Sequence, residues 1–269
     1  MPSRTRDRRN PNIQWFDPPV ALESGRARPA PWSFDPDDGR TLEPELWSVE
    51  LGLALDRVRS SRVGSAVVDC VRRRTTIYAT HGGAYTDPDP FPDEAGVEVS
   101  NARVDAAMRD ATTIGANALI GLDLVESPVA RDGADAWAPY VTLLHELVHA
   151  VNITWGNYQV RSLFDPAEAR RVGVPSPEEE MALLIDNMHR SERGLWIRRR
   201  HDDAGLLLRP GTIPRRRSTG TDVTRSEARV VSRCERRVPV LAARLATLDR
   251  RACPYNPFRD RGGSAVAWP

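Results

Sequence analysis

Lysine is missing from this 269-residue chain: all 38 basic residues are arginine. That total points to codon usage in a GC-rich genome more than to function, although arginine still favours carboxylate and phosphate partners. Cysteine is scarce. Cys70, Cys234 and Cys253 are odd in number and irregularly spaced, which supports neither a disulfide framework nor a cysteine zinc knuckle. Aromatics make up 6% of the chain. No stretch approaches the roughly 18 uncharged apolar residues a membrane-spanning helix needs, and the first residues lack the apolar segment of a classical signal peptide. The expectation is a soluble protein made in the cytoplasm, or one exported by a specialised system that needs no such peptide.

Charge is nearly balanced in total, at +1, but not along the chain. Residues 1 to 189 hold 19 Arg against 29 Asp and Glu, and residues 190 to 269 hold 19 Arg against 8. An arginine-rich tail can neutralise phosphates, so binding to nucleic acid or an anionic surface is one alternative function. Few aromatics accompany that tail and it carries no DNA-binding motif, so nucleic acid ranks low as a partner. Pairing with the acidic front half is the simpler fate of those arginines.

Composition divides the chain into three. Residues 1–45, rich in Pro, Arg and Asp without a hydrophobic period, read as a disordered arm. Residues 46–205 carry the periodic segments, and 206–269 form an Arg-rich, partly helical extension. In the middle part, Leu51, Leu53, Leu55, Val58 and then Val63, Val67, Val68 and Val71 predict one or two helices broken near Gly64. "TTIYAT", "GVEVS" and "ANALIGLDLVES" read as strands, and the Gly/Pro/Asp-rich "HGGAYTDPDPFPDEAG" as a loop. Two helices follow, "WAPYVTLLHELVHAVNITWG" and "SPEEEMALLIDNMHRSERG", the second with Ser176 as N-cap, Pro177 in its first turn and Gly194 past its end. Near the C-terminus Pro239 should kink or break a further helical run. Strands followed by helices predict an α+β fold.

The chemistry concentrates in the first of these two helices. His145, Glu146 and His149 form H-E-x-x-H, and on a helix the i, i+4 spacing aims both imidazoles at one point while the glutamate reaches a water held there. Leu143, Leu144, Leu147, Val148 and Val151 surround them, so the motif lies in an apolar helix. Burying two imidazoles and a carboxylate without a joint purpose is costly. A catalytic zinc takes three protein ligands and an open position. Among Glu178, Glu179 and Glu180 we take Glu179 as the third, because Ala182 one turn on allows close helix approach. Helix-dipole stabilisation explains the other two.

The order of these residues resembles that of the type III secretion effector zinc metallopeptidases, zincins of the gluzincin type, and more distantly the clostridial neurotoxin light chains. Their pattern runs H-E-L-x-H-A, Gly, E-E, E-N-x-x-R-x-x-x-G and R-x-x-Y. Here it reads His145, Glu146, His149, Ala150, Gly156, Glu178 and Glu179, Asp186 and Asn187, Arg190, Gly194, Arg198 and His201. "VGSAVVDCVRRRTTIYAT" resembles the preceding helix and strand, so the likeness spans about residues 60–201. It implies a zincin-like metalloprotease fold, a Zn2+ ion on His145, His149 and Glu179, Glu146 as catalytic base, Arg198 and His201 stabilising the oxyanion, and a protein or peptide substrate. An extended substrate would pair with a strand edge, for which "ALIGLDLV" is nominated. Two positions depart from the pattern. Asp186 stands for Glu, a shorter carboxylate still able to orient a ligand, and His201 stands for Tyr, with a different reach and a near-neutral pKa. The second departure leaves open a zinc-binding zincin without efficient hydrolysis.

Overall fold

The computed structural model describes residues 3–17, 20–23, 26–29, 44–80, 84–89, 115–124, 138–158, 163–198, 207–208 and 225–262. Over these residues the chain is a mixed α+β protein with a five-stranded sheet. The sheet contains β1 (Ser3–Arg6), β2 (Ile13–Asp17), β5 (Thr75–Ala79), β6 (Tyr85–Pro88) and β7 (Ala118–Leu122), in the order β1-β2-β5-β7-β6. The three inner strands run parallel, and both outer ones are antiparallel to their neighbours. A hairpin of β3 (Val20–Glu23) and β4 (Arg26–Pro29) follows β2.

Residues 3–17 thus correct the expectation of a disordered arm. Ile13 and Trp15 alternate inward in a segment too short for its period to stand out from the polar residues around it, and both enter the main core. Polar contacts hold the same segment down. Asp7 pairs with Arg59, and Asn10 Nδ2 donates to the carbonyls of Val68 and Val71 at 2.7 and 3.1 Å.

Helices α1 (Pro44–Arg59) and α2 (Arg62–Cys70) separate β2 from β5. The break between them falls at Ser60–Ser61 and not at Gly64. Ser61 has extended backbone, and its hydroxyl accepts from the Gly64 amide at 2.9 Å, an N-cap that starts α2. Gly64 matters for a different reason. A Cβ there would lie 2.0 Å from the Val58 carbonyl oxygen, so its bareness lets α2 begin directly against the end of α1.

The next helix, α3 (Pro139–Trp155), is the centre of the molecule. Leu143, Leu144, Leu147, Val148, Val151 and Ile153 are fully buried, and apolar residues all round a helix require partners on every side. Those partners are α1, α2, β6, β7 and α5 (Pro177–Arg193). The short α4 (Pro166–Val172) leads into α5. Helix α5 begins as the sequence predicts, with the Ser176 hydroxyl accepting from the Glu179 amide at 3.2 Å, and ends at Gly194 in the left-handed region (φ 69°). A two-stranded ladder of β8 (Ile197–Arg198) and β9 (Leu207–Leu208) follows.

Pro239 breaks the last helical run into α6 (Arg225–Arg237) and α7 (Pro239–Ala246), and α8 (Pro257–Gly262) completes the described chain. Val230, Val231, Cys234, Leu241 and Leu245 of this segment belong to the same core as α2 and α5. Its arginines meet the protein's own acids: Arg244 with Asp69 at 2.6 Å and Arg229 with Glu168 at 3.3 Å. No helix among the described residues is long and apolar enough to cross a membrane. The strand expected in "GVEVS" lies outside the described residues.

Candidate metal centre

His145 and His149 sit one turn apart on α3, and Glu179 enters from the first turn of α5, which packs alongside. The structure brings these three together. His145 Nε2 lies 3.2 Å from His149 Nε2 and 3.2 Å from Glu179 Oε2, and His149 Nε2 lies 3.5 Å from Glu179 Oε1. Bonds of about 2.0–2.1 Å in a tetrahedral arrangement put ligand atoms about 3.3 Å apart. Here the two imidazoles face different oxygens of Glu179, and one ligand atom from each residue lies within 4.8 Å of the other two, a group able to close on one ion. The histidines are 6% and 5% exposed and the Glu179 side chain 24%, so one side of the cluster is open.

Charge agrees with spacing. Glu178, the residue before the third candidate ligand, is buried on the other side of His149, with Oε1 3.0 Å from Nδ1 and 2.6 Å from Asn152 Nδ2. With Nδ1–H donating to that carboxylate, the Nε2 lone pair of His149 points at Glu179 and at the second imidazole. Burial would push the His149 pKa down, yet hydrogen bonds and charge from Glu178 and Glu179 hold it well above the usual histidine range. The pocket therefore attracts a cation, either a proton or a metal ion. Glu180 faces away, bonded to the Ser226 hydroxyl on α6.

Glu146 points toward β6, where Thr86 Oγ1 donates to Glu146 Oε2 at 2.7 Å and lies 3.1 Å from its carbonyl oxygen. Arg198 arrives by way of β8. Asn187 on α5 exchanges two 2.8 Å hydrogen bonds with its main chain, donating from Nδ2 to the carbonyl and accepting at Oδ1 from the amide, as a neighbouring strand would. The Arg198 side chain is 7% exposed, and its Nη1 is 3.7 Å from Asp186 Oδ2, an oxygen also bonded by Arg190 Nε at 2.9 Å. Burial opposes ionisation of Asp186, but the charges of Arg190, Arg198 and nearby His145 hold its carboxyl below the ordinary range. Asp186 thus ties the arginine pair to the back of the histidine site.

Of the residues expected from sequence, His145, Glu146, His149, Glu179 and Arg198 share this region, and His201 lies outside the described residues. One nomination is overturned. Strand β7, "ALIGL", is flanked by β5 and β6 and has no edge to offer; β6 is the last strand of the sheet among the described residues and packs on α3. The residues of β6 lie in the stretch read as a loop, where Asp87 and Pro88 disguise a short edge strand. Thr86, Asn152 and the role of Glu178 also escape the sequence reading. Helical geometry says only that neighbouring first-turn positions point about 100° apart, so the glutamates beside Glu179 face other directions. Which of them meets His149 is set by the fold.

No known protein family matches the chain, and no curated protein or solved structure matches it either.

Proposed function

We propose that this protein is a zinc-dependent endopeptidase of zincin-like fold that hydrolyses a peptide bond in a protein substrate. The reading is supported above all by one observation. Two imidazole nitrogens and a carboxylate converge at metal-ligand spacing, with a further carboxylate, Glu146, held one residue away beside the last strand of the sheet. A ligand set of two nitrogens and one oxygen, partly open to solvent, is the donor chemistry of catalytic zinc.

His145, His149 and Glu179 would hold the ion. Bound there, zinc supplies Lewis acidity, lowering the pKa of water and polarising a carbonyl. Glu146 takes the proton from the attacking water and delivers it to the leaving amine. Arg198, fixed by Asn187 and Asp186 and drawn toward Glu179 by charge, stabilises the oxyanion of the tetrahedral state. Glu178 and Asn152 keep His149 in the tautomer that presents Nε2.

Elemental analysis and a peptide-library digest of wild type and Glu146→Gln test the proposal together. About one zinc per chain in both proteins, with cleavage only by wild type, is the expected result. Absence of zinc after reloading ends the proposal, and zinc without cleavage in wild type reduces it to a metal-binding protein.

A further inference from the structure

The hydroxyl of Thr86 reaches Glu146, and the carbonyl of the same residue is held by a second side chain. Tyr158 follows the left-handed Gly156 that ends α3, and its phenol donates to the Thr86 carbonyl at 3.1 Å. The phase of the ladder shows which way that carbonyl points. Asp89 N donates to Asn117 O at 2.8 Å, so in the antiparallel register Tyr85↔Gly121 and Asp87↔Leu119 are the hydrogen-bonded pairs, while Thr86↔Ile120 and Pro88↔Ala118 are not. The main-chain groups of Thr86 therefore face away from β7, toward the outer edge, where Tyr158 meets them. Pro88, the other outward residue, has no N–H. The Thr86 amide is the only outward main-chain donor within β6.

Tyr158 is 5% exposed. Burial, and then the charges of Glu178, Asp87, Glu179 and Glu146, push its phenol well above the ordinary range, so it stays a hydrogen-bond donor. It is aimed at an acceptor that the sheet leaves unpaired.

We propose that Thr86 and Tyr158 are positioning residues for Glu146: Tyr158 clamps the edge strand to the end of the histidine-bearing helix, and the strand in turn holds the Glu146 carboxylate through the Thr86 hydroxyl. The inference rests on the peptidase reading for the consequence of the clamp, but not for its existence. A carboxylate anchored through one oxygen by a donor on a two-residue relay has its second oxygen left for proton transfer. It acts without the reorganisation a mobile side chain would need at each turnover.

The first test uses metal-free protein and needs no activity. The carboxylate stretching bands of Glu146 are assigned by infrared difference against Glu146→Gln, and Thr86→Val, which keeps the β-branched shape, shifts them. Tyr158→Phe speeds amide hydrogen exchange across residues 84–89 by about tenfold with the global unfolding midpoint unchanged. Unchanged bands in Thr86→Val, or unchanged exchange in Tyr158→Phe, overturn the clamp. In the zinc-loaded protein, Thr86→Val lowers kcat by about tenfold or more with KM and zinc content unchanged, and Thr86→Ser restores it. A rise in KM alone, or no rescue by serine, overturns the positioning role. A wild type that cleaves nothing removes the peptidase reading and leaves the infrared and exchange results to decide the clamp.

Discussion

The carboxylate of Glu178 lies 3.0 Å from Nδ1 of His149, behind the imidazole whose other nitrogen faces Glu179. A metal ligand is only as well placed as the group that fixes its tautomer. Glu178→Ala should therefore leave one site per chain but weaken zinc binding by about 10- to 100-fold, read by competition with a chromophoric chelator. Glu180→Ala, which alters a residue turned to Ser226, should leave zinc affinity unchanged in the same assay. Equal effects of the two would contradict the division of labour described for the three glutamates.

Gly64→Ala introduces a methyl group 2.0 Å from the Val58 carbonyl oxygen, where backbone and not a flexible side chain must yield. A loss of about 2 kcal/mol or more is expected, seen as a lower midpoint in urea. Gly52→Ala is the control: a Cβ there meets nothing within 4 Å, and replacing a helical glycine stabilises by a few tenths to about 1 kcal/mol.

His189 gives the fold an acid-sensitive point away from the metal centre. Its ring is buried against Tyr140 with Nδ1 2.7 Å from the Ser61 hydroxyl, and burial pushes its pKa down to about 4. The unfolded chain protonates this histidine near pH 6.5, well before the folded one does. Stability from this group is complete above that value and declines as pH falls toward the folded pKa, with a difference of about 2 kcal/mol between roughly pH 7 and pH 5. Urea titrations at both values should show that decline in wild type and a much flatter profile in His189→Gln.

A chain stopped after residue 224 should fail to fold cooperatively. It would uncover the faces of α2 and α5 that Val231, Cys234, Leu241 and Leu245 now bury, each fully enclosed. Four buried side chains at roughly 1.5–3 kcal/mol each are comparable to the whole net stability of an ordinary domain. Circular dichroism and a thermal scan would show a broad transition or none. A sharp transition near the wild-type midpoint would instead make 225–262 an independent unit.

How much of this was legible in the sequence depends on how local the determining physics is. The two long helices of the site and the Ser176 and Gly194 caps were readable because capping and helical period act within a few residues. The approach of Glu179 to the histidines needed only those two helices in contact. What escaped depends on partners distant in the chain. Thr86 looks like a loop residue until Ile120 is set opposite it, and Ile13 and Trp15 look like strays until β5 lies beside them. Glu178 is distinguished from Glu180 only by His149 and Asn152 on one side and by Ser226 on the other.

The joining of early and late segments bears on how the molecule comes apart. Ile13 lies beside β5, and Phe258 fills the same core from the other end of the described chain. Among the described residues, tension at the N-terminal end would peel only the edge strand β1 before reaching β2, and at the C-terminal end would meet the core at Phe258 of α8 directly. Beyond that edge strand, unravelling under force, whether by a protease motor or through a narrow export channel, should therefore proceed as one all-or-none event and dismantle the histidine cluster along with the sheet.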